Sequence, residues 1–193
     1  MIAPAVRRLM SSGTTRRTAT ALTVAIGLVA CQRTRPFEYE FERRDILDEL
    51  QWQCGAIYRL SASHATSGRS SLEMTLYPAS AGNPRPYPGI TFASFDPDWS
   101  RRRLLRFDAY NPAANNVPLT LRIDDAEYPD FPERFNRTFS LVPGANRIAV
   151  PLPSLVTSGS HRPLRRESIR RVFIFVANPR APVTIYLDDV RLD

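Results

Sequence analysis

Polar and apolar residues alternate along most of this 193-residue chain with the two-residue period of strands that bury one face. Ser71 to Tyr77 puts Leu72, Met74 and Leu76 on one side, and Leu104 to Tyr110 follows with the same pattern. Within 119–124, Leu119, Leu121 and Ile123 share a face. Arg137 to Leu141 and Arg147 to Leu152 flank a turn at Pro143-Gly144-Ala145-Asn146. Arg171 to Val176 is apolar at consecutive positions, which predicts a central strand covered on both sides. Val183 to Leu192 predicts the last strand. Helical spacing is confined to Arg44–Leu50 and a turn near Pro153-Ser154-Leu155-Val156. Seventeen prolines lie between the apolar runs, as punctuation for short strands and not for helices. Short strands at near-regular spacing predict an all-β fold, an antiparallel β-sandwich.

The first thirty residues follow another pattern. Ala21 to Ala30 is a short apolar run ending at Cys31, preceded by Arg7, Arg8, Arg16 and Arg17 with no acidic residue. This is the layout of an export signal, and the run is well short of the roughly 20 residues that span a bilayer. Leu28-Val29-Ala30-Cys31 resembles the lipobox of bacterial lipoproteins. That resemblance implies cleavage before Cys31, acylation of its thiol and new amino group, and a domain tethered to a membrane by lipid. The alternative is an ordinary secretory signal with a coincidental cysteine. The expected plan is a signal peptide over 1–30, the lipidated cysteine and a short tether over 31–36, and a β-sandwich domain over 37–193. Gln32, where aspartate would signal inner-membrane retention, points to the outer membrane of a bacterial cell envelope.

Removing the leader changes the charge picture. The full chain carries +7, but all 19 acidic residues follow Cys31 while four of the 26 basic ones precede it, which leaves +3. Nucleic acid is therefore not the expected partner. Every basic residue is arginine, a side chain whose planar fork matches carboxylates and phosphates. The expected partner is a polysaccharide or glycan, neutral or acidic, bound by a monomer. Only Cys54 remains once Cys31 is lipidated, so no internal disulfide is expected; its neighbours Trp52 and Ile57 suggest a buried, unreactive thiol.

Four segments in order carry a family resemblance. Phe41-Glu42 and Trp52 precede His64-Ala65-Thr66-Ser67-Gly68-Arg69-Ser70-Ser71-Leu72-Glu73-Met74. Asp98-Trp99-Ser100 then leads to Leu105–Asn111, Pro143–Leu152 follows, and Ile185-Tyr186-Leu187-Asp188-Asp189-Val190-Arg191-Leu192 closes the chain. The set resembles galactose-binding-like jelly-roll domains, which include many carbohydrate-binding modules. The resemblance implies a structural calcium ion held by Glu42, Asp188 and carbonyls around Gly68 to Ser71, because calcium takes several oxygen ligands. The alternative is that both carboxylates are simply solvated at strand ends.

A sugar site combines aromatic faces with hydrogen-bonding side chains. Loop aromatics Tyr87 and Trp99 are candidates, as are Tyr110 beside Asn111, and Tyr128 and Phe131. Arg122 and Asp124 lie on the polar face of their strand with Asp125 adjacent, and Arg134 and Asn136 share the alternation of Thr138. Arg122, Asp124, Arg134 and Asn136 form the set expected to act together, although Arg122 facing an aspartate also reads as a plain ion pair. The groups Arg101–Arg103, Arg165-Arg166 and Arg170-Arg171 are either solvated loops or contacts to anionic partners. No catalytic set emerges: His64 and His161 have no metal-ligand spacing, and there is no nucleophile elbow or phosphate loop. The expectation is non-catalytic glycan recognition. The alternative is an envelope assembly factor that binds a protein through the same sheet face.

Overall fold

Two antiparallel sheets close over the apolar residues that the alternation marks. The structure, a computed structural model, describes residues 36–80, 82, 84–92 and 95–193. The expected signal peptide and Cys31 lie outside these described residues. The strands are β1 (Glu38–Tyr39), β2 (Leu50–Gln53), β3 (Ala56–Ser61), β4 (Ser71–Leu76), β5 (Gly89–Phe92) and β6 (Leu104–Asn111). They continue with β7 (Val117–Asp124), β8 (Phe135–Leu141), β9 (Gly144–Pro151), β10 (Arg171–Phe175) and β11 (Val183–Leu192). One sheet runs β3-β4-β11-β6-β9, with β1 pairing β11 beyond the end of β4, and the other runs β2-β5-β10-β7-β8. Among the described residues no helix is long and apolar enough to cross a membrane.

The core lies between the sheets. Leu72, Met74 and Leu76 of β4, Leu105 and Phe107 of β6, and Ile185 and Leu187 of β11 fill one inner face. Leu119, Leu121 and Ile123 of β7 and Val172 and Ile174 of β10 fill the other. Each such side chain stabilises the fold by about 2 kcal/mol through burial. Phe37, Tyr39, Phe92 and Trp99 plug one end: Trp99 meets Phe37 edge-on at 5.2 Å, and Tyr39 meets Phe92 at 4.7 Å. Trp99, expected on a ligand-facing loop, is fully buried here, and its indole N–H donates to the Asp96 carbonyl at 3.1 Å.

The seven predicted strands are present, with ends shifted by up to three residues. Four more were not legible by period. β1 spans two residues, and β5 is buried at every position, so it shows no alternation. β2 and β3 meet at a corner where Cys54 and Gly55 both have positive φ, at 57° and 83°. Cys54 is half-buried at this corner, a correction to the buried thiol expected from its neighbours. The helical stretch forms as a 3-10 helix, Arg44–Glu49, in which only Ile46 is buried. The Pro143-Gly144 turn does not join paired strands: β8 pairs β7 while β9 pairs β6, so the chain crosses there from one sheet to the other. Gly144 has φ 90°, and the Asn146 amide closes the corner through the Val142 N–H and carbonyl.

A buried charge network fixes the connections at one end. Arg162 grips Asp125 with two hydrogen bonds, of 2.6 and 2.8 Å, and reaches Glu133 at 2.6 Å, while the Arg165 N–H donates to Asp125 at 2.8 Å. Residues 125–133 and 162–165 are thereby locked together. Burial alone would push the Asp125 carboxyl up, but the Arg162 hydrogen bonds, the Arg165 N–H and both positive charges bring it down from 3.8 to about 2. A depressed carboxyl adds stability that is complete above about pH 4 and is lost as pH falls through about 2. Urea unfolding of the parent and Asp125→Asn is therefore expected to differ by about 2 kcal/mol at pH 7, with the gap shrinking between pH 4 and pH 2. A gap that stays constant down to pH 2 contradicts this role for Asp125.

Candidate functional site

Alternation that sends Leu119, Leu121 and Ile123 into the core sends Thr120, Arg122 and Asp124 to the outward face of the five-stranded sheet. Register assembles rows across that face. Phe173 pairs Arg122, which pairs Asn136; Phe175 pairs Thr120, which pairs Thr138; Arg171 pairs Asp124. A line of aromatic rings along β10 thus runs beside a line of polar side chains on β7 and β8. The Phe173 and Phe175 rings stack at 4.6 Å and 17°, and Tyr87 stands edge-on to Phe175 at 5.6 Å. Gly89 makes room for them, since a Cβ there would come within 2.8 Å of the Phe173 ring and 2.2 Å of the Ile174 carbonyl. Both phenylalanines are buried although they belong to the face away from the core, whereas Tyr87 is 46% exposed. Tyr87 is accordingly the ring that offers an open surface, with Phe175 behind it.

The polar line is held in place by its own contacts. Arg122 donates to both oxygens of Asp124, at 2.8 and 2.6 Å, and Arg171 lies 3.9 Å from the same carboxylate. Asp124 is 1% exposed, so removing Arg122 would strand a buried carboxylate and weaken the fold by about 3 kcal/mol. Arg134 Nε donates to the Pro129 carbonyl at 2.8 Å. Burial and the neighbouring Arg122 charge lower the pKa of Arg134, partly offset by Asp124. The Asn136 backbone N–H donates to Ser158 Oγ at 2.9 Å, and the Thr120 and Thr138 hydroxyls share a hydrogen bond of 2.8 Å.

Arg122, Asp124, Arg134 and Asn136 thus come together as a set, and Tyr87 flanks the same face. Trp99 does not join them. Tyr110 belongs to the outward face of the six-stranded sheet, stacked under His64 at 3.5 Å beside Tyr186. Asn111 is buried and caps the Asn115 and Leu141 carbonyls. Tyr128 and Phe131 are exposed on the segment that the Asp125 network fixes. Sequence reasoning missed Phe173, Phe175 and Arg171 as members of the face. The available signal was the second apolar face of 171–176, which needs a cover other than the core.

Glu42 and Asp188 have a different kind of environment from the one calcium requires. Glu42 Oε1 accepts the Arg69 and Ser70 N–H groups at 2.7 and 2.8 Å, which lowers its pKa. Asp188 Oδ2 accepts the Thr66 and Ser67 N–H groups at 2.6 and 2.9 Å, and Oδ1 accepts that of Asp189. Backbone N–H groups hydrogen-bond both carboxylates. This donor set anchors the 64–71 segment to β11 directly and does not fit a calcium ion.

No protein-family model matches the chain, and no curated protein matches it in sequence. Solved structures do share its fold. The family 11 carbohydrate-binding module from Clostridium thermocellum, solved with a β-1,3-1,4-mixed-linked tetrasaccharide, is 15% identical with a TM-score of 0.54, covering 74% of this chain and 86% of that one. An exo-β-agarase is 14% identical with a TM-score of 0.59 over 83% of this chain but only 25% of that one. The xylan-binding domain from carbohydrate-binding module family 22 is 13% identical with a TM-score of 0.50, over 82% and 94% of the two chains. The fold is a jelly-roll sandwich of the kind seen in carbohydrate-binding modules. Since amide donors already satisfy Glu42 and Asp188, EDTA is expected to leave the melting temperature unchanged within about 1 °C. A fall of several degrees, restored by calcium, would show that an ion is held.

Proposed function

We propose that this chain is a non-catalytic glycan-binding module that holds a polysaccharide on the outward face of its five-stranded sheet. The observation that carries the reading is the register of β10 with β7 and β8, which sets Phe173, Phe175 and Tyr87 beside Arg122, Asn136, Thr120 and Thr138. Tyr87 supplies a ring on which a pyranose stacks, and the polar line supplies donors and acceptors for its hydroxyls. From Thr120 to Asp124 the face extends about 13 Å along the strand, room for more than one sugar ring. The likeness to modules named for a mixed-linked tetrasaccharide and for xylan supports this reading.

In the same proposal, Leu28–Cys31 leads to a lipid anchor at Cys31, which tethers the monomeric domain to the bacterial cell envelope, on the outer membrane. Asn136 and Tyr87 are the clean probes, because neither holds a buried charge. In affinity electrophoresis against a panel of neutral and acidic polysaccharides, Tyr87→Ala and Asn136→Ala are each expected to weaken retention about tenfold, with unchanged melting temperature. Retention identical to the parent in both variants, or turnover of the retained glycan, would refute the proposal.

A further inference from the structure

The end of the glycan face nearest the 125–134 segment has more positive charge than its own residues use. Three guanidiniums gather there, from Arg122 on β7, Arg171 on β10 and Arg134 at the start of β8, around the single buried carboxylate of Asp124. Arg122 takes both carboxylate oxygens. Arg171 stands at 3.9 Å, outside hydrogen-bond distance, and keeps 30% of its side chain exposed. Arg134 spends Nε on the Pro129 carbonyl; among the described residues its terminal nitrogens meet no acceptor. Asp130, the other carboxylate whose charge reaches Arg134, is exposed. The Glu127 and Tyr128 side of the 125–134 segment borders a surface hollow with Arg170 and Arg171.

Partly buried guanidiniums with unused N–H groups are held against mutual repulsion, and the low pKa direction of Arg134 reflects burial and that repulsion. The Asp125–Arg162 network fixes the neighbouring segment, whose carboxylates Glu127 and Asp130 lie near the cluster but, among the described residues, make no hydrogen bond to Arg134 or Arg171. A ligand group that completes the balance is planar and anionic, with two oxygens spaced for a guanidinium fork. Resting on the glycan-binding reading above, we infer that the polysaccharide held on this face carries carboxylates, and that Arg134 and Arg171 receive one of them beside the Arg122–Asp124 pair. Hydroxyl recognition by Asn136 and the exposed Thr138 continues the same ligand toward Tyr87.

The test compares polygalacturonate, neutral mixed-linkage β-glucan, neutral xylan and vesicles containing an anionic phospholipid, each against the full chain by titration calorimetry at 50 and 500 mM NaCl. Polygalacturonate is expected to bind at least about tenfold more tightly than either neutral polymer, and to lose about tenfold at high salt. Arg134→Gln and Arg171→Gln are each expected to remove about tenfold of the polygalacturonate affinity while lowering the melting temperature by no more than about 5 °C. Equal binding of neutral and acidic polymers, insensitive to both substitutions, overturns this inference and leaves glycan binding intact. Binding of vesicles through the same two arginines, with no binding of polygalacturonate, overturns it in favour of a lipid headgroup. Failure of every polysaccharide removes the glycan-binding reading itself and this inference with it.

Discussion

The candidate site depends on one constraint, that β10 is apolar on both of its faces. Val172 and Ile174 must enter the core, so Phe173 and Phe175 are forced onto the opposite surface. Pairing with β7 then fixes what stands beside them, with Arg122 next to Phe173 and Thr120 next to Phe175. A slip of one residue would place the phenylalanines in the core and the valine and isoleucine outside. Gly89 belongs to the same constraint, because only a residue without a Cβ leaves space for the two rings to lie across β5.

Two neighbouring aspartates divide the work of holding the end of that face. Asp124 is the last residue of β7 and points to the outward surface, where arginines cluster on it. Asp125 falls on the next position and turns under the following segment, where Arg162 and the Arg165 N–H satisfy it. One carboxylate therefore organises the surface, and the other locks the loop that borders it. Both are buried and hydrogen-bonded, as charges in a protein interior must be. Asn146 and the left-handed Gly144 do comparable work at the corner where the chain passes between sheets.

The sandwich was legible because six strands carry a period of two in their residues, one face of each turned to the core. β10 was legible for the opposite reason, as an unbroken apolar run in a central position. β5 was hidden by burial at every position, and β1 by its length. Arg122, Asp124, Arg134 and Asn136 could be read as one group because they lie on the polar face of adjacent strands. Trp99 was misread since an aromatic residue after Asp98 in a polar loop has the same local pattern whether it faces solvent or, as here, plugs the core against Phe37. Glu42 and Asp188 were expected beside the turn from Gly68 to Ser71; Glu42 bonds that turn at Arg69 and Ser70, while Asp188 bonds the residues just before it, Thr66 and Ser67. Residue type alone does not tell which backbone groups, N–H or C=O, a loop turns toward them, and here it is the N–H groups.

Backbone amide resonances followed by NMR during titration with an oligosaccharide that the chain binds give the most direct test of where the ligand sits. The account predicts that shifts concentrate at Thr120, Arg122, Asn136, Phe173 and Phe175. Shifts confined instead to Arg59, Glu73, Tyr110 and Tyr186, which line up on the outward face of the six-stranded sheet, would contradict it.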